Sequence, residues 1–229
     1  MSELATESAP PTEVPRWALG LGLLVFVGGL IFALPAVEFN PSAASLGWLA
    51  AAALIGVPLM TLSNAVEFQR IANLRQHEVK LVEAIEVAVS STAANLLPLP
   101  GGSIVKIAAL KRAGSSTRGA AIITIWAGAL WLGVAATVAG GALLIDGEPW
   151  AWIVIAGGAA VGAGAAFALA RSSTLPSRPR VIASLALVEL GATLSSALRL
   201  WFVGNALGVS LGVDVFVIAL APVLGAAVV

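Results

Sequence analysis

Five stretches of this chain are long enough to cross a bilayer, and four of them hold no charge, which leaves few folds open. A helix rising about 1.5 Å per residue needs about 20 mostly apolar residues to traverse roughly 30 Å of hydrocarbon. Residues 17–37, 44–64, 119–145, 150–170 and 181–203 pass that test, and only the last carries charge, Glu189 and Arg199. Composition agrees. The 229 residues are 59% hydrophobic and 10% charged, against about 45–50% and roughly 25% in soluble domains. This excludes a water-soluble enzyme and a disordered chain. Lys+Arg 12 and Asp+Glu 12 cancel, so no nucleic-acid partner is expected through a basic face. Cys 0 removes disulfides, thiolate metal sites and cysteine nucleophiles, and His 1 leaves a metal almost without ligands. No metal or cofactor is expected. The fold class is all-α, a polytopic membrane helix bundle.

Residues 1–16 carry Glu3, Glu7 and Glu13 against Arg16, with three prolines. A secretory signal needs a basic start, so this reads as a disordered cytoplasmic tail ahead of one transmembrane domain, 17–229. Trp17 and Trp150 stand at span ends, where an amphipathic ring favours the headgroup level. Glycines fall inside spans at Gly128, Gly133, Gly157, Gly158, Gly162 and Gly164. Small residues let helix backbones approach in lipid, within one bundle or across a homodimer face.

Residues 81–97 form a shorter apolar run between two basic segments, Arg70/Arg75/Lys80 and Lys106/Lys111/Arg112/Arg118. If the run crossed the membrane, those segments would lie on opposite sides, against the positive-inside bias. If it enters, turns at Pro98-Leu99-Pro100-Gly101-Gly102 and returns through 103–112, every Lys and Arg except Arg199 is cytoplasmic. We therefore expect about five full spans and one re-entrant hairpin, with a cytoplasmic N-terminus. Two prolines and two glycines suit the turn. Non-helical backbone at that depth must be covered by protein or line a cavity.

A shift of 132 residues lays Thr61-Leu62-Ser63-Asn64-Ala65 on Thr193-Leu194-Ser195-Ser196-Ala197 and Asn73 on Asn205. Each copy is a span, a short link and an apolar run, about 44–118 and about 181–229. In the orientation above the copies are inverted, an arrangement that many transporters share. Val229 then falls on Leu97, before the turn. Either the chain is truncated or the second turn has been lost. Truncation is favoured, because ending inside an apolar run leaves backbone groups unsatisfied. The second hairpin is expected to be partial.

The segment Asn95-Leu96-Leu97-Pro98-Leu99-Pro100-Gly101-Gly102-Ser103-Ile104-Val105-Lys106, followed by Leu110-Lys111-Arg112, resembles the lysylphosphatidylglycerol synthase membrane region, a flippase-like group of integral membrane proteins. The likeness is best over 62–118 and weaker over 185–229. Ser103 stands where that family commonly has an acidic residue, and Lys106 where it commonly has Arg. The family's second Pro-Gly-Gly motif would lie beyond Val229. The resemblance implies moving or presenting a phospholipid or polyprenyl-linked lipid across the plasma membrane. The soluble aminoacyl-transferase domain of some relatives is absent from these residues, so synthase activity is not implied.

Gly101, Gly102 and Ser103 open a helix whose free N–H groups attract anions. With Lys106, and with Lys111 and Arg112 further on, they could hold the phosphate of an anionic phospholipid or polyprenyl phosphate. The plainer reading is that the glycines permit the turn, Ser103 caps the helix and the cations anchor at the interface. Asn95, Pro98 and Pro100 complete the turn motif. Glu83 and Glu86 share a helix face, either solvated at a helix end or functional, with Glu86 paired to Lys106 across the hairpin or protonated as a coupling site. Glu189 and Arg199 lie deeper, roughly 15 Å apart on one face, so each needs another partner; an intramembrane charge is costly and often functional. Glu67 and Arg70 read as a surface i,i+3 pair, and His77 as solvated. No nucleophile–base pair stands at a convincing spacing, so no enzyme is expected. The alternative to lipid movement is a scaffold that recruits a soluble partner enzyme through its basic links.

Overall fold

The computed structural model describes residues 43–95, 101–173, 178–209, 211–212 and 214–217. The expected span at 17–37, Pro98 and Pro100 of the turn, and most of the run 213–229 lie outside them. The described residues form helices and no strand. In chain order these are α1 (Ala43–Ala51), a π-helical turn (Ala52–Gly56), α2 (Val57–Asn73), α3 (Leu81–Ala94), α4 (Gly101–Arg112), α5 (Thr117–Ile145), α6 (Ala151–Ser172) and α7 (Arg178–Ala206). Four helical stretches are long and apolar enough to cross a membrane: Ser45–Asn73, Thr117–Ile145, Ala151–Ser172 and Pro179–Ala206. They cover four of the five expected spans. The first extends past the expected end at 64, because its polar last turns tuck inside the bundle, with Glu67, Phe68, Ile71 and Ala72 buried.

The π turn has a local cause. Pro58 stands in the first turn of α2, where it has no N–H to give and its ring crowds the carbonyl four residues back. Widening the preceding turn accommodates it, and Val57 donates its N–H to the Ala52 carbonyl, five residues behind. The bulge also lays Gly56 against α7. A Cβ there would stand 3.1 Å from Arg199 Cβ and Cγ.

Helices α5 and α6 form the tightest pair. A Cβ on Gly133 would meet the Gly158 carbonyl oxygen at 2.8 Å, and one on Gly158 would meet Thr137 N at 2.7 Å. The two backbones touch, which gives dispersion contact where lipid supplies no hydrophobic drive. Gly128, Gly157 and Gly164 have no described atom within 4 Å of an added Cβ, so among the described residues only part of the glycine pattern brings backbones together. Helix α4 ends at Gly114 (φ 104), with Ser115 N–H bonded to Leu110 O and Gly114 N–H to Lys111 O, a left-handed stop that suits glycine. Ser116 then caps α5 by accepting from Gly119 N–H at 3.1 Å.

Phe68, Ile71, Leu74, Leu110, Ile123, Leu169 and Leu185 are fully buried and form one core with many alanines, where α2 to α7 converge. Two bonds tie the end of α2 to the end of α6: Arg75 Nη1 donates to Ser172 O at 3.3 Å, and Ser173 Oγ to Leu74 O at 3.2 Å. His77, expected to be solvated, instead bonds Ser115 Oγ through Nε2 at 2.8 Å. The outer faces carry exposed Leu54, Ile125, Ile145, Ile153, Phe167 and Leu187. So much exposed apolar surface marks a face made for lipid.

The α5–α6 contact yields a test. Gly133→Val should lower the thermal unfolding midpoint in detergent, since overpacking costs about 1–3 kcal/mol. Gly128→Ala, which meets open space, should leave it unchanged.

Candidate functional site

Near the middle of α7, roughly 16 Å along its axis from Arg178, Glu189 is only 1% exposed. It lines a cavity of about 150 Å³ with Asn64 and Glu67 of α2, Lys106 of α4, and Gly128 and Trp131 of α5. Four helices, α2, α4, α5 and α7, thus supply the walls. Gly128 leaves space that a larger side chain would fill. Helix α2 brings Asn64, at the expected end of its span, and carries Glu67 to the cavity because the helix continues beyond that end.

Within the cavity Lys106 Nζ donates to both oxygens of Glu67, each at 2.8 Å. Glu67 is 7% exposed, and the Lys106 side chain is largely covered as well. A charge-assisted, two-pronged contact is the strong form of hydrogen bond. Its partners are 39 residues apart, so it fastens the α3–α4 pair to α2. Glu189 stands beside this pair, and its Oε1 is buried with no hydrogen-bond partner among the described residues. The nearest hydroxyl on its own helix is occupied, because Thr193 Oγ1 donates to the Glu189 main-chain carbonyl at 2.9 Å.

The expected site residues fare differently. Lys106 and Glu189 meet in the cavity. Lys106 pairs with Glu67 and not with Glu86, which is exposed, as is Glu83. Glu67 is correspondingly a buried partner of Lys106 and no surface ion pair with Arg70. The start of α4 is partly occupied: Asn95 Oδ1 accepts Gly102 N–H at 2.8 Å. Gly101 and Gly102 are buried, and a Cβ on Gly101 would stand 2.8 Å from the Ala94 carbonyl carbon. The glycines therefore allow α3 and α4 to touch. Ser103, Lys111 and Arg112 are exposed and do not converge with Lys106. Arg199 lies against Gly56, away from the cavity lining.

Asn64 and Trp131 were not expected as site residues, nor was Glu67, which the sequence suggested only as a surface partner of Arg70. One signal was available for Glu67: the 132-residue shift places it on Arg199, itself a charge within a span. Among the described residues no group of three or more His, Cys, Asp or Glu could hold a metal.

Removing one partner of a buried pair costs about 3–5 kcal/mol, whereas removing both is often near neutral. Lys106→Met should therefore lower the unfolding midpoint clearly. The double variant Glu67→Gln/Lys106→Met should recover most of that loss, and a double-mutant cycle on detergent-solubilised protein measures the coupling.

No protein-family model matches the chain, and no curated protein or solved structure matches it.

Proposed function

We propose that this protein moves or presents a lipid by its polar headgroup, with the cavity between α2, α4, α5 and α7 as the place where that headgroup sits. The observation that carries the reading is a buried ion pair and a second buried carboxyl around one void, inside a bundle whose outer faces are apolar. Polar and ionisable groups within a membrane are costly and mark substrate or ion pathways. At about 150 Å³ the void has room for about five waters or one phosphate group. It has none for an acyl chain, so the chains would stay in lipid while the headgroup crosses. An incoming phosphate would compete with Glu67 for Lys106, and Trp131 would give its ring to the rest of the headgroup.

Two further observations support an inverted-repeat transporter plan. Helices α3 and α4 have 14 and 12 residues, about 21 and 18 Å, too short to cross and suited to a re-entrant hairpin. Ser63 Oγ and Ser195 Oγ lie 3.5 Å apart, and they are 132 residues apart in sequence, the shift of the repeat itself. A residue that touches its own repeat equivalent is what a two-fold axis through the α2–α7 contact requires. The resemblance of 95–112 to the flippase-like group points the same way.

The test is reconstitution into liposomes carrying trace fluorescent phosphatidylglycerol or a polyprenyl phosphate, with quencher added outside. Wild type should expose inner-leaflet label faster than empty liposomes for at least one of the two. Lys106→Met, and the double variant with Glu67→Gln, should lose at least about tenfold of that rate, while Lys111→Ala and Arg112→Ala should keep it. Equal rates with and without protein for both lipids would reject the reading. In the Cys 0 background, Lys80→Cys and Thr117→Cys should label from one side of the membrane; labelling from opposite sides would reject the re-entrant hairpin.

A further inference from the structure

The cavity holds two carboxyls and one cation. Lys106 is committed to both oxygens of Glu67 at 2.8 Å. Glu189 lines the same void, 1% exposed, with Oε1 unpartnered. The remaining lining residues, Asn64, Gly128 and Trp131, carry no charge. Among the described residues, charges elsewhere do not supply a second cation. Of the elements packed against α7, α1 and the π turn have none, α2 has Glu67 and Arg70, α5 has Arg118 in its first turn, and α6 has Arg171 in its last. Arg171 lies over the Phe167 ring at 4.5 Å, and neither it nor Arg70, Arg118 or Arg199 lines the cavity. Two ionised carboxylates around one ammonium leave an uncompensated buried charge, the costliest arrangement open to this site.

A metal ion would relieve it poorly. Hard cations take six or more oxygens. The lining side chains offer Asn64, Glu67 and Glu189, with both Glu67 oxygens already accepting from Lys106. A proton needs one oxygen only. We infer that Glu67 and Glu189 share one cation and one proton, Lys106 balancing one carboxylate while the other is held as the acid, so that the cavity is an exchangeable proton-binding site inside the membrane. In the arrangement seen, Lys106 sits on Glu67 and the proton on Glu189. When Lys106 swings to Glu189, the O–H bond of Glu189 breaks and one forms on Glu67, directly or through water. The net charge is unchanged. When a phosphate takes Lys106, both carboxyls must be protonated, which links lipid binding to uptake of one proton. That last link rests on the proposed lipid site; the shared proton does not.

Infrared spectroscopy of the full chain near neutral pH, in liposomes of ether-linked lipids that carry no ester carbonyl, reads the site directly, through the carbonyl stretch of a protonated carboxyl. Wild type should show one such band. Glu189→Gln should abolish it. Glu67→Gln should abolish it too, because Lys106 is freed to balance Glu189. Lys106→Met should double it, since both carboxyls then need protons. Absence of the band in wild type, its persistence in Glu189→Gln or Glu67→Gln, or no gain in Lys106→Met would each overturn the inference. If one variant fails to give helical, monodisperse protein, the other two still decide. A normal set of spectra with no lipid movement would reject the transport reading alone, and lipid movement with no band would reject the shared proton alone.

Discussion

The Lys106–Glu67 pair is the contact on which the arrangement of the bundle turns. Helices α3 and α4 are each too short to span a bilayer, so their position must be set by the side chains that hold them to longer helices. Apolar packing supplies part of this through Ala84, Ala88, Ala109 and Leu110 in the core. That packing is made of small and interchangeable surfaces and fixes register weakly. A lysine that must find two carboxylate oxygens at 2.8 Å fixes it in one place. The cost of burying both charges is the reason such pairs specify more than they stabilise.

Fixing α4 against α2 has a consequence for the rest of the bundle. It turns Lys106 away from the outward positions of Lys111 and Arg112 and draws it toward α7, where Glu189 waits without a partner on Oε1. Close packing elsewhere makes this affordable. The backbone contact between Gly133 and Gly158 and the core where α2 to α7 converge hold these helices against one another, and Gly128 leaves room for the cavity among them.

The membrane makes one level of this structure legible in the sequence. Length and hydropathy found four helices to within a few residues at most ends, because lipid forces each crossing segment to satisfy its own backbone. The exception was the end of α2. Glu67 and Arg70 look like the solvated end of a span by their i,i+3 spacing, and that spacing contains no knowledge of a lysine 39 residues on. The same limit applies to His77, whose partner Ser115 lies in another turn. Glu189 was singled out because a carboxyl in the middle of an apolar run is costly wherever its helix packs. Lys106 was singled out as an anion ligand; its carboxylate partner depends on how α4 sits against α2, which no local pattern encodes.

The proposed repeat explains why the charges should be so unevenly placed. At an axis, equivalent residues meet, and Ser63 and Ser195, small and self-complementary, do so at 3.5 Å. Away from it the same shift pairs residues of unlike chemistry: Glu67 with Arg199, and Val57 with Glu189. Two copies of one backbone plan would then place opposite charges, Glu67 and Arg199, at corresponding positions. Arg199 lies against Gly56 at the π turn, a bulge of the kind that recurs at functional sites; close by in sequence, Trp201 meets Trp48 edge-on at 5.1 Å, and Trp48 stacks on Phe202 at 6.0 Å. On this proposed plan the π turn and Arg199 are the counterpart of the cavity in the other half of the bundle.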